Sequence, residues 1–210
     1  MTKRKPRHQS LEHRDLTTAQ AILAVAEDMS ANVGANHIKL ADIAAALGIE
    51  PPAIYRHYRG LKGVIAALGE VALKAELETF EGIEDLPFST ALKTQAERCF
   101  DLYMTRPGIA RFLMIDLADP RGVHVFDENA NLDLIRQLFA CEQQLLERGI
   151  KAGVIRPMSV TSFVAARLGP AIAAFAMKDM NAQGSKADVA ALRNEYLQTV
   201  LTGLCTVEGD

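Results

Sequence analysis

The sequence predicts an all-α protein with a group of short helices near its N-terminus and a longer helical bundle behind it. Two observations predict this fold class. Apolar residues recur at helical spacing along most of the chain, and the alternating Val, Ile and Thr runs typical of strands are absent. With 210 residues, the chain is long enough to bury a core in each part.

Residues 40–58 predict two short helices joined by a tight turn. The first helix is marked by apolar residues that share one face: Leu40, Ile43, Ala44 and Leu47. Gly48 follows the last of them, and glycine readily takes the left-handed conformation that ends a helix. Pro52 is expected to begin the second helix, because its fixed φ suits a first helical turn.

The second helix is expected to present polar and basic side chains to solvent. Ile54 and Tyr58 lie four residues apart and should face the core. The neighbouring side chains point elsewhere and can donate hydrogen bonds or carry positive charge: Tyr55, Arg56, His57 and Arg59. Because an exposed helix of this kind fits the major groove, we interpret the pair as a DNA-binding helix-turn-helix.

This pattern resembles the TetR-type bacterial transcriptional repressors. The resemblance covers roughly residues 16–68 and rests on these segments at the family's usual spacing: Ile22-Leu23, Ala26, Gly34, Asp42-Ile43-Ala44, Leu47-Gly48-Ile49 and Ile54-Tyr55-Arg56-His57-Tyr58. The chain departs from the family pattern at Ser30, where an aromatic residue is usual, and at Ala41, where a basic or polar residue is usual. Lys62 stands one residue later than the family's lysine.

The resemblance implies which residues contact DNA. They lie on the second helix and its flanks: Lys39, Pro51, Pro52, Ala53, Tyr55, Arg56, His57, Arg59 and Lys62. Tyr55 and His57 would contact phosphates or base edges, the start of the helix would make apolar contacts with bases, and the basic residues would bind phosphates. The alternative for each basic residue is a solvated surface charge, and for Tyr55 it is half-buried packing.

Positive charge is concentrated near the N-terminus. Residues 1–62 hold nine Lys and Arg against six Asp and Glu, whereas the rest of the chain holds fourteen against twenty. Residues 1–10 form a basic flexible arm that could follow a phosphate backbone, and a merely solvated terminus is the alternative. The expected organisation is therefore this arm, a DNA-binding domain at residues 11–62, and a helical effector-binding and dimerisation domain at residues 63–210.

Apolar stripes beyond residue 62 predict further helices. They fall in these segments: around 62–80, 88–103, 109–117, 132–146, 164–175 and 189–204. Ser185 and Asp188 provide a capping-box-like start for the last helix. The last two helices could close the core of a monomer. The resemblance instead implies a homodimer interface, in which two recognition helices read a palindromic operator of double-stranded DNA with half-sites roughly 34 Å apart.

The bundle is also expected to hold a small, largely apolar effector. Candidate pocket residues are aromatic, methionine or histidine side chains: Phe100, Tyr103, Met104, Phe112, Met114, His124, Phe126, Phe139, Phe175 and Met177. Core packing is the simpler explanation for each of them taken singly. The resemblance implies a repressor that leaves its operator when the effector binds, through a coupling of ~1–3 kcal/mol.

The sequence carries no enzyme motif. There is no His-Glu-x-x-His, Cys-x-x-Cys, Gly-x-Ser-x-Gly or phosphate-binding glycine loop, and no two histidines lie four residues apart. We therefore expect no catalytic activity, no cofactor and no metal site. The remaining alternative is a nonspecific DNA-binding or protein-docking module without an effector.

The expected location is the bacterial cytoplasm, on the nucleoid when the protein is bound to DNA. Cys99, Cys141 and Cys205 are odd in number and widely separated, which favours reduced thiols. No segment reaches the ~20 apolar residues that a membrane helix needs. The charged residues near the N-terminus are not followed by the apolar stretch that a secretory signal contains, so no such signal is expected.

Overall fold

A computed structural model describes residues 16–116, 129–181 and 188–204 of the chain. All regular structure in these ranges is helical, which confirms the all-α prediction. The α-helices are α1 (Thr18–Val33), α2 (Leu40–Leu47), α3 (Pro51–Ile54), α4 (Gly60–Glu78), α5 (Phe88–Thr105), α6 (Pro107–Arg111), α7 (Asn129–Lys151), α8 (Val160–Asn181) and α9 (Val189–Leu204). A 3₁₀ turn at Ala35–His37 and a π-helical turn at Phe112–Asp116 accompany them. Several predicted features lie outside the described residues: the arm at 1–10, His124, Phe126, Ser185 and Cys205.

The chain divides into two compact units. The first comprises residues 1–72 and 106–132, and the second comprises residues 73–105 and 133–210. The predicted division into an arm at 1–10 and domains at 11–62 and 63–210 stays a prediction. The first unit extends beyond residue 62 and includes α6, because α6 packs against α1.

Helix α1 begins at a reciprocal cap in the first unit. The Thr17 hydroxyl oxygen accepts a hydrogen bond from the Gln20 backbone N–H at 3.3 Å, and Gln20 Oε1 accepts one from the Thr17 N–H at 2.9 Å. This capping box satisfies two donors that a helix start leaves unpaired. The helix then buries one face, which includes Ile22 and Ala26, with no exposed surface at either.

The helix-turn-helix geometry follows the sequence signals with two corrections. Helix α2 ends at Gly48, which has a φ of +67° and takes the left-handed conformation, as predicted. Helix α3 begins at Pro51 rather than Pro52, and it ends at Ile54, so it is shorter than predicted. A hydrogen-bonded turn follows α3, in which the Tyr58 N–H donates to the Ile54 carbonyl at 2.9 Å.

The second unit is built from long helices that bury apolar stripes. In α5 the predicted stripe is confirmed, since its members are buried from Phe88 to Tyr103. Helix α9 packs against both α5 and α8. Asp188 caps the start of α9. Its Oδ1 accepts hydrogen bonds from the Ala190 N–H at 3.0 Å and from the Ala191 N–H at 3.2 Å. Pro170 lies inside α8, which continues past it to Asn181.

None of the helices in the described part of the chain is both long enough and apolar enough to cross a lipid bilayer.

Candidate nucleic-acid interface and ligand site

The turn after α3 presents a row of exposed side chains. Tyr55 has 62 % of its surface exposed, although it follows the fully buried Ile54. Lys39, Pro52, Arg56, His57, Arg59 and Lys62 are also exposed, and Pro51 and Ala53 are half-buried. The predicted DNA-contacting residues are therefore accessible or partly accessible, and half-buried packing does not describe Tyr55.

Tyr58 anchors this turn to α1. Its side chain is half-buried, and its hydroxyl donates a hydrogen bond to the Ala19 carbonyl at 3.0 Å. Burial raises the pKa of Tyr58, so the hydroxyl stays protonated and remains a donor. Gly60, with a φ of +73°, then turns the chain into α4. A core residue and a hydrogen bond thus hold the backbone from which the exposed side chains project.

Helix α6 is fixed to α1 by an ion pair, a hydrogen bond and a close backbone approach. The Arg106 guanidinium donates two hydrogen bonds to the Glu27 carboxylate, at 2.9 and 2.6 Å. The Ser30 hydroxyl, fully buried, donates to the Gly108 carbonyl at 3.2 Å. A Cβ added at Gly108 would lie 2.1 Å from the Glu27 carbonyl oxygen. Only glycine permits so close an approach here.

The structure divides the predicted effector-pocket residues between the two units. Phe112, fully buried, and Met114, half-buried, belong to the first unit. Phe100, Tyr103, Met104, Phe139 and Phe175 belong to the second, as does Met177, whose side chain lies outside the described part. Phe139 of α7 is 48 % exposed, so its burial supports a pocket role less than that of the other candidates whose side chains are described.

A buried ion pair lies in the second unit. Arg167 of α8 has no exposed surface, and its Nη2 donates to Oε1 of Glu142 in α7, which is 3 % exposed. Arg167 Nη1 also donates to Gln95 Oε1 in α5 at 2.7 Å. The guanidinium carbon lies 5.7 Å from the centre of the Phe80 ring, within the range of a cation–π contact.

A second buried carboxylate, Glu76, adjoins this pair. Glu76 is 3 % exposed and accepts hydrogen bonds from the Tyr103 hydroxyl at 2.8 Å and the Cys99 thiol at 3.2 Å. The Gln95 amide nitrogen donates to the Cys99 sulfur at 3.0 Å and to the Thr79 hydroxyl at 3.1 Å. We call the whole set the buried polar cluster: Glu76, Thr79, Gln95, Cys99, Tyr103, Glu142, Arg167 and Tyr196.

Three atoms of the buried polar cluster have no hydrogen-bond partner among the residues that the structure describes. They are Glu142 Oε2, Arg167 Nε and the Tyr196 hydroxyl oxygen. Burial raises the pKa of Glu142, and the nearby Glu76 raises it further, while Arg167 opposes both. Burial likewise raises the pKa of Tyr196, with Cys99 the next cause. Such unpaired buried polar atoms are rare in folded proteins, and each calls for a partner.

A shallow cleft of about 100 Å³ lies beside the cluster in the second unit. Its lining residues come from the end of α4, the following loop and α7: Phe80, Ile83, Glu84, Cys141, Gln144, Leu145 and Arg148. Phe80 lines the cleft, and its ring also lies beside Arg167 of the cluster. Arg148 is held at its edge by hydrogen bonds to backbone carbonyls of Ile83 at 3.1 Å and Leu86 at 2.5 Å.

No protein-family model matches the chain, and no curated protein sequence is similar to it. Solved structures do resemble it. A TetR-family transcriptional regulator from Vibrio parahaemolyticus is 19 % identical, with a TM-score of 0.63 over 90 % of this chain and 99 % of that chain. SmeT, the repressor of the Stenotrophomonas maltophilia multidrug efflux pump SmeDEF, is 17 % identical, with a TM-score of 0.61 over 91 % and 92 %. The transcriptional regulator FadR from Bacillus subtilis, solved with stearoyl-CoA, is 17 % identical, with a TM-score of 0.67 over 88 % and 98 %.

The chain has the TetR-family fold. The resemblance seen at roughly residues 16–68 of the sequence is confirmed at the level of the fold, and the structural likeness extends over nearly the whole chain.

Sequence reasoning missed the buried polar cluster. The signals were present, because Gln95 falls within the apolar stripe of α5 and Arg167 within that of α8. A polar residue inside an apolar stripe indicates a buried partner, but the partner's identity depends on which helices meet. The contact between α1 and α6 left a weaker signal, the Ser30 that replaces the family's aromatic residue.

Proposed function

We propose that the chain is a sequence-specific DNA-binding transcriptional regulator, most directly a repressor of a palindromic operator. The observation that carries this proposal is the exposed row after α3, with Tyr55 62 % exposed on a backbone fixed by Ile54 and Tyr58. Aromatic and imidazole side chains can contact base edges or phosphates, and the flanking arginines neutralise phosphates. The TetR fold, shared with regulators such as SmeT, supports the same assignment.

A homodimer follows from the need for two recognition elements. One short helix reads few base pairs, whereas two related by a twofold axis read a palindrome. We propose that the last two helices form the interface. In support, Ile172 of α8 is 39 % exposed and Val189 of α9 is 42 % exposed, so both helices keep large apolar side chains at their surface.

We further propose that the second unit binds a small-molecule effector whose binding weakens the hold on DNA. FadR, a structural neighbour, binds stearoyl-CoA, so the fold can accommodate such a ligand. Helix α4 offers a route for coupling. It begins at Gly60, directly after the turn at residues 55–59, which we call the recognition turn, and it carries Glu76 of the buried polar cluster. The coupling should amount to ~1–3 kcal/mol, or about 5- to 150-fold in operator affinity.

Selection of tight binders from random duplex DNA tests the proposed function. With the purified full-length protein, we expect one palindromic sequence to be enriched, with half-sites roughly one helical turn apart. Enrichment of that sequence also provides the operator for effector screening. If no sequence is enriched and binding only fades as salt rises, the proposal is wrong, and the alternative of a nonspecific DNA-binding or docking module takes its place.

A further inference from the structure

We propose that the buried polar cluster recognises the head group of the effector, and that this head is an organic cation, of the protonated amine or amidine class. The inference rests on the proposed function, in so far as it assumes that the second unit binds an effector. It adds the chemistry of the ligand and the residues that select it. Charge, unpaired atoms and aromatic surroundings support it independently.

The formal charge of the cluster favours a cation. Two carboxylates, Glu76 and Glu142, are each 3 % exposed, and they share a single guanidinium, that of Arg167. One negative charge therefore lacks a positive partner among the residues of the cluster. Because a buried charge is stable only when it is paired, a cationic ligand compensates the excess.

The unpaired atoms match a nitrogen that carries hydrogen. Glu142 Oε2 is an acceptor, and the Tyr196 hydroxyl can also accept, so both suit the N–H groups of an ammonium or amidinium. Both residues are almost fully buried, at 3 % and 2 % exposure. The third unpaired atom, Arg167 Nε, is a donor, and an oxygen on the same head group would satisfy it.

Aromatic rings around the cluster also favour a cation. Tyr196 stacks on Phe100 with ring centres 5.5 Å apart, and the Phe80 ring already lies beside the Arg167 guanidinium. The faces of such rings carry partial negative charge and attract cations, most strongly where water is excluded. The raised pKa of Glu142 agrees with a carboxylate that gains from an added positive neighbour.

Other head groups fit less well. A carboxylate or phosphate would be repelled by Glu76 and Glu142 at close range. In the part of the chain that the structure describes, no three His, Cys, Asp or Glu side chains are arranged to hold a metal ion. The cleft adjoins the cluster at Phe80, whose ring lies 5.7 Å from the Arg167 guanidinium and also lines the cleft.

Calorimetric titration of the full-length protein with three amphiphiles of equal chain length tests the head-group chemistry. The probes are decylamine, decanol and decanoate, each kept below the concentration at which it aggregates. We expect decylamine to bind saturably and at least about tenfold more tightly than decanoate, because only the amine compensates the buried negative charge. Decanol, which carries the same chain without charge, reports the apolar contribution alone.

Two variants assign the binding to the cluster. Glu142→Gln removes the charge and should weaken decylamine binding at least about tenfold, while decanol binding stays near the wild-type value. Tyr196→Phe removes only a hydroxyl that lacks a partner, so folding is preserved, and decylamine binding should weaken severalfold. Glu147→Gln is the matched control, since Glu147 is exposed on the same helix as Glu142, and its amine affinity should equal that of the wild type.

The outcomes separate this inference from the proposed function. Saturable, amine-selective binding that falls in Tyr196→Phe supports the inference. Failure of decylamine to bind saturably, equal or tighter binding of decanoate, or wild-type amine affinity in Tyr196→Phe overturns it, whatever the folding state of Glu142→Gln. Enrichment of an operator is measured without amphiphile, so a chain that fails to select DNA contradicts the proposed function independently of these titrations.

Discussion

Arg106 holds Glu27 through two hydrogen bonds, from Nε to Oε1 at 2.9 Å and from Nη2 to Oε2 at 2.6 Å. The pair joins the start of α6 to the middle of α1. One helical turn further along α1, Ser30 donates to the Gly108 carbonyl. Residues that the predicted domain boundary separates therefore belong to one compact unit, and a change in α6 would act directly on α1.

Arg106→Gln should lower the free energy of unfolding by about 1 kcal/mol, because two charge-assisted hydrogen bonds are lost at a partly exposed site. Chemical denaturation of the full-length protein measures this value. Arg136→Gln is the matched control, since the Arg136 ion pair with Asp133 is 74 % and 72 % exposed and should contribute less than about 0.5 kcal/mol. Equal effects of the two substitutions would show that the contact between α1 and α6 contributes no more than a surface pair.

Gly108→Ala should destabilise the first unit by roughly 1–3 kcal/mol, because the added Cβ would lie 2.1 Å from the Glu27 carbonyl oxygen and force α6 away from α1. Gly203→Ala provides the comparison. Nothing lies within 4 Å of a Cβ at that position near the end of α9, so alanine there should leave stability unchanged or raise it by up to about 1 kcal/mol. Thermal unfolding followed by circular dichroism reports both shifts, and a neutral Gly108→Ala would contradict the close approach.

Protonation of Glu142 should make stability depend on pH. Burial raises the pKa of Glu142 above its ordinary value of 4.5, so the folded protein holds this proton more tightly than the unfolded chain does. The resulting stabilisation is complete below the unfolded pKa and is lost as pH rises through the folded pKa. Wild-type stability should therefore fall across this window relative to that of Glu142→Gln.

Unfolding free energies of both proteins, measured at a series of pH values, check this dependence. Glu76, Cys141, Arg167 and Tyr196 interact electrostatically with Glu142 and are present in both proteins, so the comparison reports the loss of the Glu142 carboxyl together with its effect on these neighbours. Glu147→Gln controls for the loss of an exposed carboxyl on the same helix. A constant difference between wild type and Glu142→Gln at all pH values would refute the raised pKa.

Arg56 and Arg59 should supply affinity for DNA without sequence choice. Each is exposed on the recognition turn. Replacing either with Gln should weaken binding to every duplex and reduce the slope of log affinity against log salt by about 1. Fluorescence anisotropy at several salt concentrations measures the slope. Lys93→Gln, at an exposed position in the second unit, should leave it unchanged. A slope that is unaltered in both arginine variants would place these side chains off the DNA.

Local signals predicted the helices well. Gly48 ends α2 in the left-handed conformation, and the α5 stripe is buried as expected, because each depends on residues close in sequence. The start of α3 was misplaced by one residue, since two successive prolines can each occupy a first turn. Asp188 caps α9 with its own carboxylate.

Long-range contacts could not be predicted in the same way. Arg167 meets Gln95 and Glu142 only because α8 lies beside α5 and α7, and periodicity along one helix does not specify its neighbour. The same holds for Arg106 and Glu27. Apolar candidates such as Phe112 and Phe100 were grouped by residue type, whereas the structure assigns them to different units.

We propose above that the exposed row after α3 reads a DNA sequence. The most direct measurement is the ratio of dissociation constants for the selected operator and for a scrambled duplex of equal length and composition, at one salt concentration. We expect a ratio of at least about 10³ in favour of the operator for the wild type, and a ratio near unity for the Tyr55→Ala, His57→Ala double variant. A wild-type ratio near unity, or an unchanged ratio in the double variant, would contradict it.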